Sequence, residues 1–157
     1  VLLYLKVVLF TVVAPGTVTV YLPYLLLRGD DGWGVDGARA VLGGPLILAG
    51  ALLYAWCAWA FARFGQGTPA PTDPPRQLVT NGLYARTRNP MYLGVITVVL
   101  GEAVLFGSSR LLAYAGAVFV AFNAFVLLYE EPAHRRRFGA DFEEYCRRVP
   151  RWVPRPW

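Results

Sequence analysis

Two stretches of this chain hold side chains that could do chemistry, and some forty largely apolar residues separate them. The first is "RTRNPMY", residues 86 to 92, where two arginines run into Asn89 and Pro90 and Tyr92 falls in the first turn of a helix. Asn89 can cap that helix by accepting a backbone N–H, and the remaining N–H groups at the positive helix end can hold an anion. The same residues also suit a plain capped helix with snorkelling arginines. The second stretch is "YEEPAHRRRFG", with Glu130 and Glu131 at the C-terminal end of a helix whose dipole disfavours them. Something must compensate: either Arg135 and Arg136, one turn on, or the ammonium or ribose diol of a ligand.

Two polar side chains lie inside the apolar runs. Glu102 sits about eleven residues into its run, roughly 18 Å from the cytoplasmic end at ~1.5 Å per residue. An ionisable group at that depth points to function, or else to a protonated carboxyl hydrogen-bonded between helices. Asn123, roughly 10 Å deep by the same rise, stands seven residues before Glu130 and so on the same helical face. The two could share one interior face.

Other chemistries find little footing. "GWGVDG", residues 32 to 37, matches a dinucleotide fingerprint by letter, but that fingerprint works only between a strand and a helix. Here it joins two apolar runs and reads as a turn-rich loop. His134 is the one histidine, no Cys/His spacing suits a metal, and no Ser-His triad has support. Cys57 and Cys146 read as unpaired thiols.

The elements that must position these groups are membrane helices. Hydrophobic residues are 56% of the 157, mean hydropathy is +0.43, and the mix is far from that of a soluble domain. Four stretches, about 2–27, 45–64, 90–107 and 110–129, are long enough for a bilayer core that takes roughly 20 helical residues. The first is too long for a signal-peptide core and lacks a small-residue cleavage site, so a retained span is expected. Pro15-Gly16 and Pro23 should kink it. Spans two and three open at Gly44-Pro45 and Asn89-Pro90, with proline at the first helical position. Ser108 and Ser109 alone part spans three and four, which must form a tight antiparallel hairpin. The expected fold is an all-α integral membrane bundle: an N-terminal hairpin over 1–64, then the connection, second hairpin and tail over 65–157.

Arginine placement orients the bundle. Arg63, Arg76, Arg86 and Arg88 belong to the second connection and seven more follow span four, against Arg28, Arg39 and Arg110 opposite. The positive-inside rule makes the connection and C-terminus cytoplasmic, in a cell or inner membrane. The net charge of +5 suits an anionic lipid surface better than nucleic acid, given apolar runs this long. In the tail, Phe138, Phe142 and Tyr145 share one face of a charged helix, which lies along the membrane or packs back under the bundle. "VPRWVPRPW" then has too many prolines to continue it.

"LVTNGLYARTRNPMYLG" and, some forty residues later, "EEPAHRRRFGADFEEYCRRVPRWVP" resemble the isoprenylcysteine carboxyl methyltransferase family and its wider group of membrane methyltransferases, which includes phospholipid N-methyltransferases. The likeness covers roughly residues 65 to 154. It implies S-adenosylmethionine bound between the last two spans, the preceding connection and the tail, in a pocket open sideways to lipid. Its contacts by position would be Arg76, Gln77, Leu78, Val79, Tyr84, Asn89, Pro90, Met91 and Tyr92, with Glu130 as the acidic partner. The chemistry agrees: a carboxylate suits arginine or helix N–H groups, an ammonium and diol suit Glu130, and a sulfonium suits the face of Tyr84 or Tyr92.

The chain departs from the family at two positions. Asn89 stands where relatives often carry histidine, and Val126 where the prenylcysteine enzymes place a substrate-contacting arginine. The expected activity is methyl transfer to a lipophilic acceptor entering from the bilayer, with Asn123 and Val126 on the acceptor side. A carboxylate acceptor needs no base; an amine or thiol would, and Tyr92 or Glu102 are the candidates. The alternatives are a phospholipid amine acceptor and a non-catalytic module whose basic tail binds lipid.

Overall fold

The structure is a computed structural model that describes residues 2–28, 33–65 and 77–155, and every element among them is helical. Helix α1 (Leu2–Gly16) passes through a π-helical turn (Thr17–Tyr21) into α2 (Leu22–Arg28). Where the sequence predicts a kink, the helix widens into this π turn, two residues after the Pro15 that lacks an N–H. The hydroxyls of Thr17 and Thr19 donate back to the Val13 and Pro15 carbonyls, which keeps polar groups satisfied in apolar surroundings.

Helix α3 (Gly37–Ala60) ends in a second π turn (Phe61–Gly65). It begins before the expected Gly44-Pro45, because Asp36 accepts the Arg39 N–H at 2.9 Å and caps the helix there, leaving Pro45 in the interior. A carboxylate at that place closes an open N–H and faces the positive helix end, which outweighs the proline signal. The rest of the "GWGVDG" stretch, apart from Gly32, which lies outside the described residues, docks on the bundle. Gly34 N donates to the Phe106 carbonyl at 3.0 Å and Trp33 meets the Phe106 ring edge-on.

Helix α4 (Pro90–Phe106) has 17 residues and stops at Gly107, whose φ of 63° lies in the left-handed region. Ser108 then caps α5 (Ser109–Phe125) by accepting the Leu111 N–H. This is the tight hairpin the serines predict. Among the described residues three helices are long and apolar enough to cross a membrane, Tyr4–Arg28, Gly37–Phe64 and Ser109–Phe138, and α4 is a shorter apolar fourth. The last of these runs past its expected end because α5 continues through a π turn (Val126–Glu130) into α6 (Glu131–Phe138). Gly139 breaks the chain before α7 (Ala140–Arg148).

The tightest packing joins α3 to α4. A Cβ on Gly43 would lie 2.7 Å from the Gly101 carbonyl, and one on Gly50 would lie 2.6 Å from the Gly94 carbonyl. The two backbones therefore touch, antiparallel, over two helical turns, the usual way helices associate where lipid removes the hydrophobic drive. Helix α1 leans on this pair through Thr11 and the Tyr54 hydroxyl, 2.9 Å apart, and on α5 through the Tyr114 hydroxyl, which donates to the Val18 carbonyl. The chain is an all-α integral membrane protein.

Candidate active site

The head of α4 is built by the tail. Asn89 does occupy the N-cap, but its side chain accepts no helix N–H; its amide donates to the Arg151 carbonyl at 3.1 Å. Pro90 at the first helical position removes one open donor, and the asparagine is drawn off by the segment that follows α7. Arg88 N donates to the Pro150 carbonyl, Arg155 N to the Arg86 carbonyl, and the Thr87 hydroxyl to the Arg151 carbonyl. Residues 150 to 155 are thus clasped along residues 86 to 89. Phe142, Tyr145 and Val149 are buried against Leu78 and Phe138, and the Tyr145 hydroxyl donates to the Tyr84 carbonyl at 2.7 Å. Of the two expected arrangements, the tail takes the one packed under the bundle.

The adjacent glutamates have separate partners. Glu131 is buried and meets three guanidiniums: Arg88 at 3.0 Å, Arg151 through two hydrogen bonds of 2.6 and 3.1 Å, and Arg135 at 3.5 Å. Sequence spacing pointed to Arg135 and Arg136; the stronger partners come from distant parts of the chain, brought in by the clasp. Among the described residues Glu130 pairs with no arginine. Its carboxylate accepts a 2.6 Å hydrogen bond from the Tyr92 hydroxyl.

A cavity of about 440 Å³ lies between α1, α3, the Leu78–Tyr84 stretch, α4, α5 and α6. Arg88, Glu130, Glu131, His134, Arg136 and Arg137 line it toward the tail; Phe10, Pro15, Val18, Val95, Phe122 and Val126 line it toward the bundle interior. Tyr92 and Glu130 stand where the two linings meet. The size is ordinary for a small-molecule site, as is the mix of apolar wall and few polar groups.

Of the residues singled out from sequence, Leu78, Val79, Tyr84, Asn89, Met91, Tyr92, Val126 and Glu130 line this cavity. Pro90 is buried in the helix start without lining it. Gln77 opens onto a separate shallow groove with Thr80, Asp141, Glu144 and Arg148. Arg76 lies outside the described residues. Asn123 does not face the cavity, because its carbonyl oxygen accepts the Trp152 indole N–H at 2.9 Å. Glu102 stands one turn from the C-terminal end of α4, outside the cavity, with one carboxylate oxygen buried and without a hydrogen-bond partner. Depth counted from one end alone hid its closeness to the other.

Tyr84 contributes its ring. Its hydroxyl is buried against the Cys57 thiol outside hydrogen-bonding geometry, and burial pushes the phenol well above its ordinary range. Residues the sequence reading passed over include Arg88, His134, Arg151 and Trp152. The His134 ring lies edge-on to Phe142, 5.3 Å between centroids, and forms cavity wall. The one signal for Trp152 was an aromatic residue among the prolines of the tail. Among the described residues no three metal-ligating side chains converge.

The family model for phospholipid methyltransferase matches residues 38–141, which takes in α3 to α6 and most of the cavity wall. The chain belongs to that family. Related sequences include a protein-S-isoprenylcysteine O-methyltransferase B from Arabidopsis thaliana, 38% identical over 79 residues, or 50% of this chain and 40% of the relative. The protein-S-isoprenylcysteine O-methyltransferase of Schizosaccharomyces pombe is 32% identical over 77 residues, 49% of this chain and 33% of the relative. A Delta(14)-sterol reductase from Mus musculus is 32% identical over 84 residues, 51% of this chain and 19% of the relative. The chain thus matches less than half the length of each of these proteins. No solved structure matches it significantly.

Proposed function

We propose that the chain transfers a methyl group from S-adenosylmethionine to a lipophilic acceptor that reaches the cavity from the bilayer. The observation that carries this reading is the cavity itself, polar toward the tail and apolar toward the bundle interior, with Tyr92 and Glu130 at the change. The donor set fits the cofactor. Arg88 and Arg136 suit its carboxylate, Glu130 suits an ammonium or diol, and the Tyr84 and Tyr92 rings suit a sulfonium. When bound, the cofactor supplies an activated methyl group for in-line displacement, a reaction governed by alignment and the exclusion of water. The protein holds, orients and dries the site: Glu130 fixes the Tyr92 hydroxyl, and Phe122 packs on the Tyr92 ring at 4.6 Å between centroids. Arginine bias supports a cytoplasmic position for the clasped tail and the polar end.

Two acceptor classes follow from the relatives. The isoprenylcysteine enzymes suggest a carboxylate and the phospholipid family an amine. Val126, buried in the apolar lining, offers an anion no partner, which favours the amine; the arginines toward the tail favour the anion. A non-catalytic lipid-binding module would need only the basic tail and leaves the cavity unexplained.

The test is cofactor binding by the purified, folded chain, followed by transfer of labelled methyl into prenylcysteine and phospholipid acceptors. Binding with transfer into either supports the reading and names the acceptor. Folded protein that binds no S-adenosylmethionine overturns it, and binding of a hydride donor instead would redirect it toward the chemistry in the reductase relative's name.

A further inference from the structure

The half-buried Trp152 indole reaches from the clasped tail onto α5 and the head of α4. Its N–H donates to Asn123, and its ring centre lies 5.2 Å from that of Phe119 and 6.5 Å from that of Tyr92. It does not line the cavity; it stands behind Tyr92, which does. Tyr92 is thereby held from separate sides: by Phe122 and the indole around the ring, and by Glu130 at the hydroxyl. Asn123 and Glu130 lie seven residues apart on the same long helix, with the π turn between them. The tail and the head of α4 are therefore pinned to that helix at two levels. The indole cannot drift, because the neighbouring Arg151 is locked on buried Glu131 and its carbonyl receives both Thr87 and Asn89. An indole tied through its own N–H to Asn123 and through the neighbouring Arg151 to Glu131, with its ring centre 6.5 Å from that of Tyr92, limits where the Tyr92 ring can sit.

We propose that Trp152 is a positioning residue for the transfer step, acting through Tyr92: the tail segment holds the Tyr92 ring and hydroxyl at the junction between the polar and apolar halves of the cavity. The inference rests on the methyl-transfer reading for its effect on rate, and on geometry alone for its effect on Tyr92. Asn123 then belongs to the anchor of this segment, where the sequence suggested an acceptor contact.

The test uses the full chain, with Trp152→Leu, Trp152→Phe, Tyr92→Ala and the Trp152→Leu/Tyr92→Ala double variant. Turnover per cofactor-binding site should fall about tenfold in Trp152→Leu and less in Trp152→Phe, which keeps a ring. It should not fall further when Trp152→Leu is added to Tyr92→Ala, because residues acting through one another do not add. A merely structural role would lower the number of sites and give additive losses. A second readout needs no turnover: with fluorotyrosine incorporated, the Tyr92 resonance should shift in Trp152→Leu while that of Tyr84 stays. Additive losses or an unmoved Tyr92 resonance overturn the proposal. A moved resonance in a chain that transfers no methyl group keeps the contact and sinks the methyl-transfer reading alone.

Discussion

The Tyr92 hydroxyl and the Glu130 carboxylate, 2.6 Å apart, join the first turn of α4 to the end of the π turn that follows α5, across the cavity wall. Neither residue needs the other to fold its own helix, so the bond serves the space between them. If the Tyr92 ring borders the methyl donor, Tyr92→Ala should weaken cofactor binding at least about tenfold, or ~1.4 kcal/mol, within the reach of a desolvated cation–π contact. Tyr92→Phe keeps the ring and should retain most of the affinity. Calorimetry on the folded variants decides, and unchanged binding in Tyr92→Ala would move the sulfonium contact to Tyr84.

Glu131 and Glu130 should part company on substitution. Glu131→Ala leaves Arg88, whose side chain is only 12% exposed, without its carboxylate, and removing one member of a buried ion pair costs on the order of 3 kcal/mol. Thermal melts in detergent should drop clearly, and protease should reach the tail, since Arg151 is released with it. Glu130→Ala should melt closer to wild type while losing cofactor affinity. Equal melting losses in the two variants would show that both glutamates serve the fold.

How much of this was legible in sequence follows from what each signal reports. Asn89-Pro90, Ser108 and the apolar runs announced helix ends because caps and hydropathy are local. The family motifs placed Tyr84, Tyr92 and Glu130 near one another, and they do line one cavity. Arg151 on Glu131 and Trp152 on Asn123 were hidden, since their partners are set by how the tail folds back and not by helical periodicity. Asn89 looked like a cap for the same reason: its residue type promises a local bond, and a distant carbonyl took it instead. Glu102 is deep counted from the head of α4 and one turn in counted from its C-terminal end, and hydropathy alone does not say which end matters.

Gly43 and Gly44 make a matched pair. A Cβ at Gly43 would strike the Gly101 carbonyl and Leu105 backbone at 2.7 Å, whereas one at Gly44 meets nothing within 4 Å. Gly43→Ala should therefore force α3 from α4 and cost about 1–3 kcal/mol as overpacking. Gly44→Ala should be neutral or slightly stabilising. Melting temperatures of the two variants in one detergent give the answer, and equal values would mean the α3–α4 backbone contact is looser than described.

Cys146 reports on the tail. Burial pushes its thiol above the ordinary range, outweighing the pull of the Arg88 guanidinium 2.8 Å away. Free thiols titrate near about 8.5, so Cys146 stays protonated at neutral pH, and its alkylation should rise only at more alkaline pH than that of a free thiol. Mass-spectrometric labelling across pH measures this. In Glu131→Ala the released tail should move the alkylation profile back toward the free-thiol range.

Tyr84 separates ring from hydroxyl. Tyr84 lines the cavity, while its hydroxyl is buried with no hydrogen-bond partner. A buried donor left unmade costs about 1–3 kcal/mol, so Tyr84→Phe, which deletes only that group, should raise the stability of the ligand-free protein by roughly 1 kcal/mol. Because the ring remains, cofactor affinity should hold within about twofold, a difference near 0.4 kcal/mol. Tyr84→Ala should lose both, since Phe61 packs on the ring at 5.4 Å and the cavity wall goes with it. A Tyr84→Phe protein that folds well but binds the cofactor much more weakly would mean that the hydroxyl turns from Cys57 toward the ligand on binding.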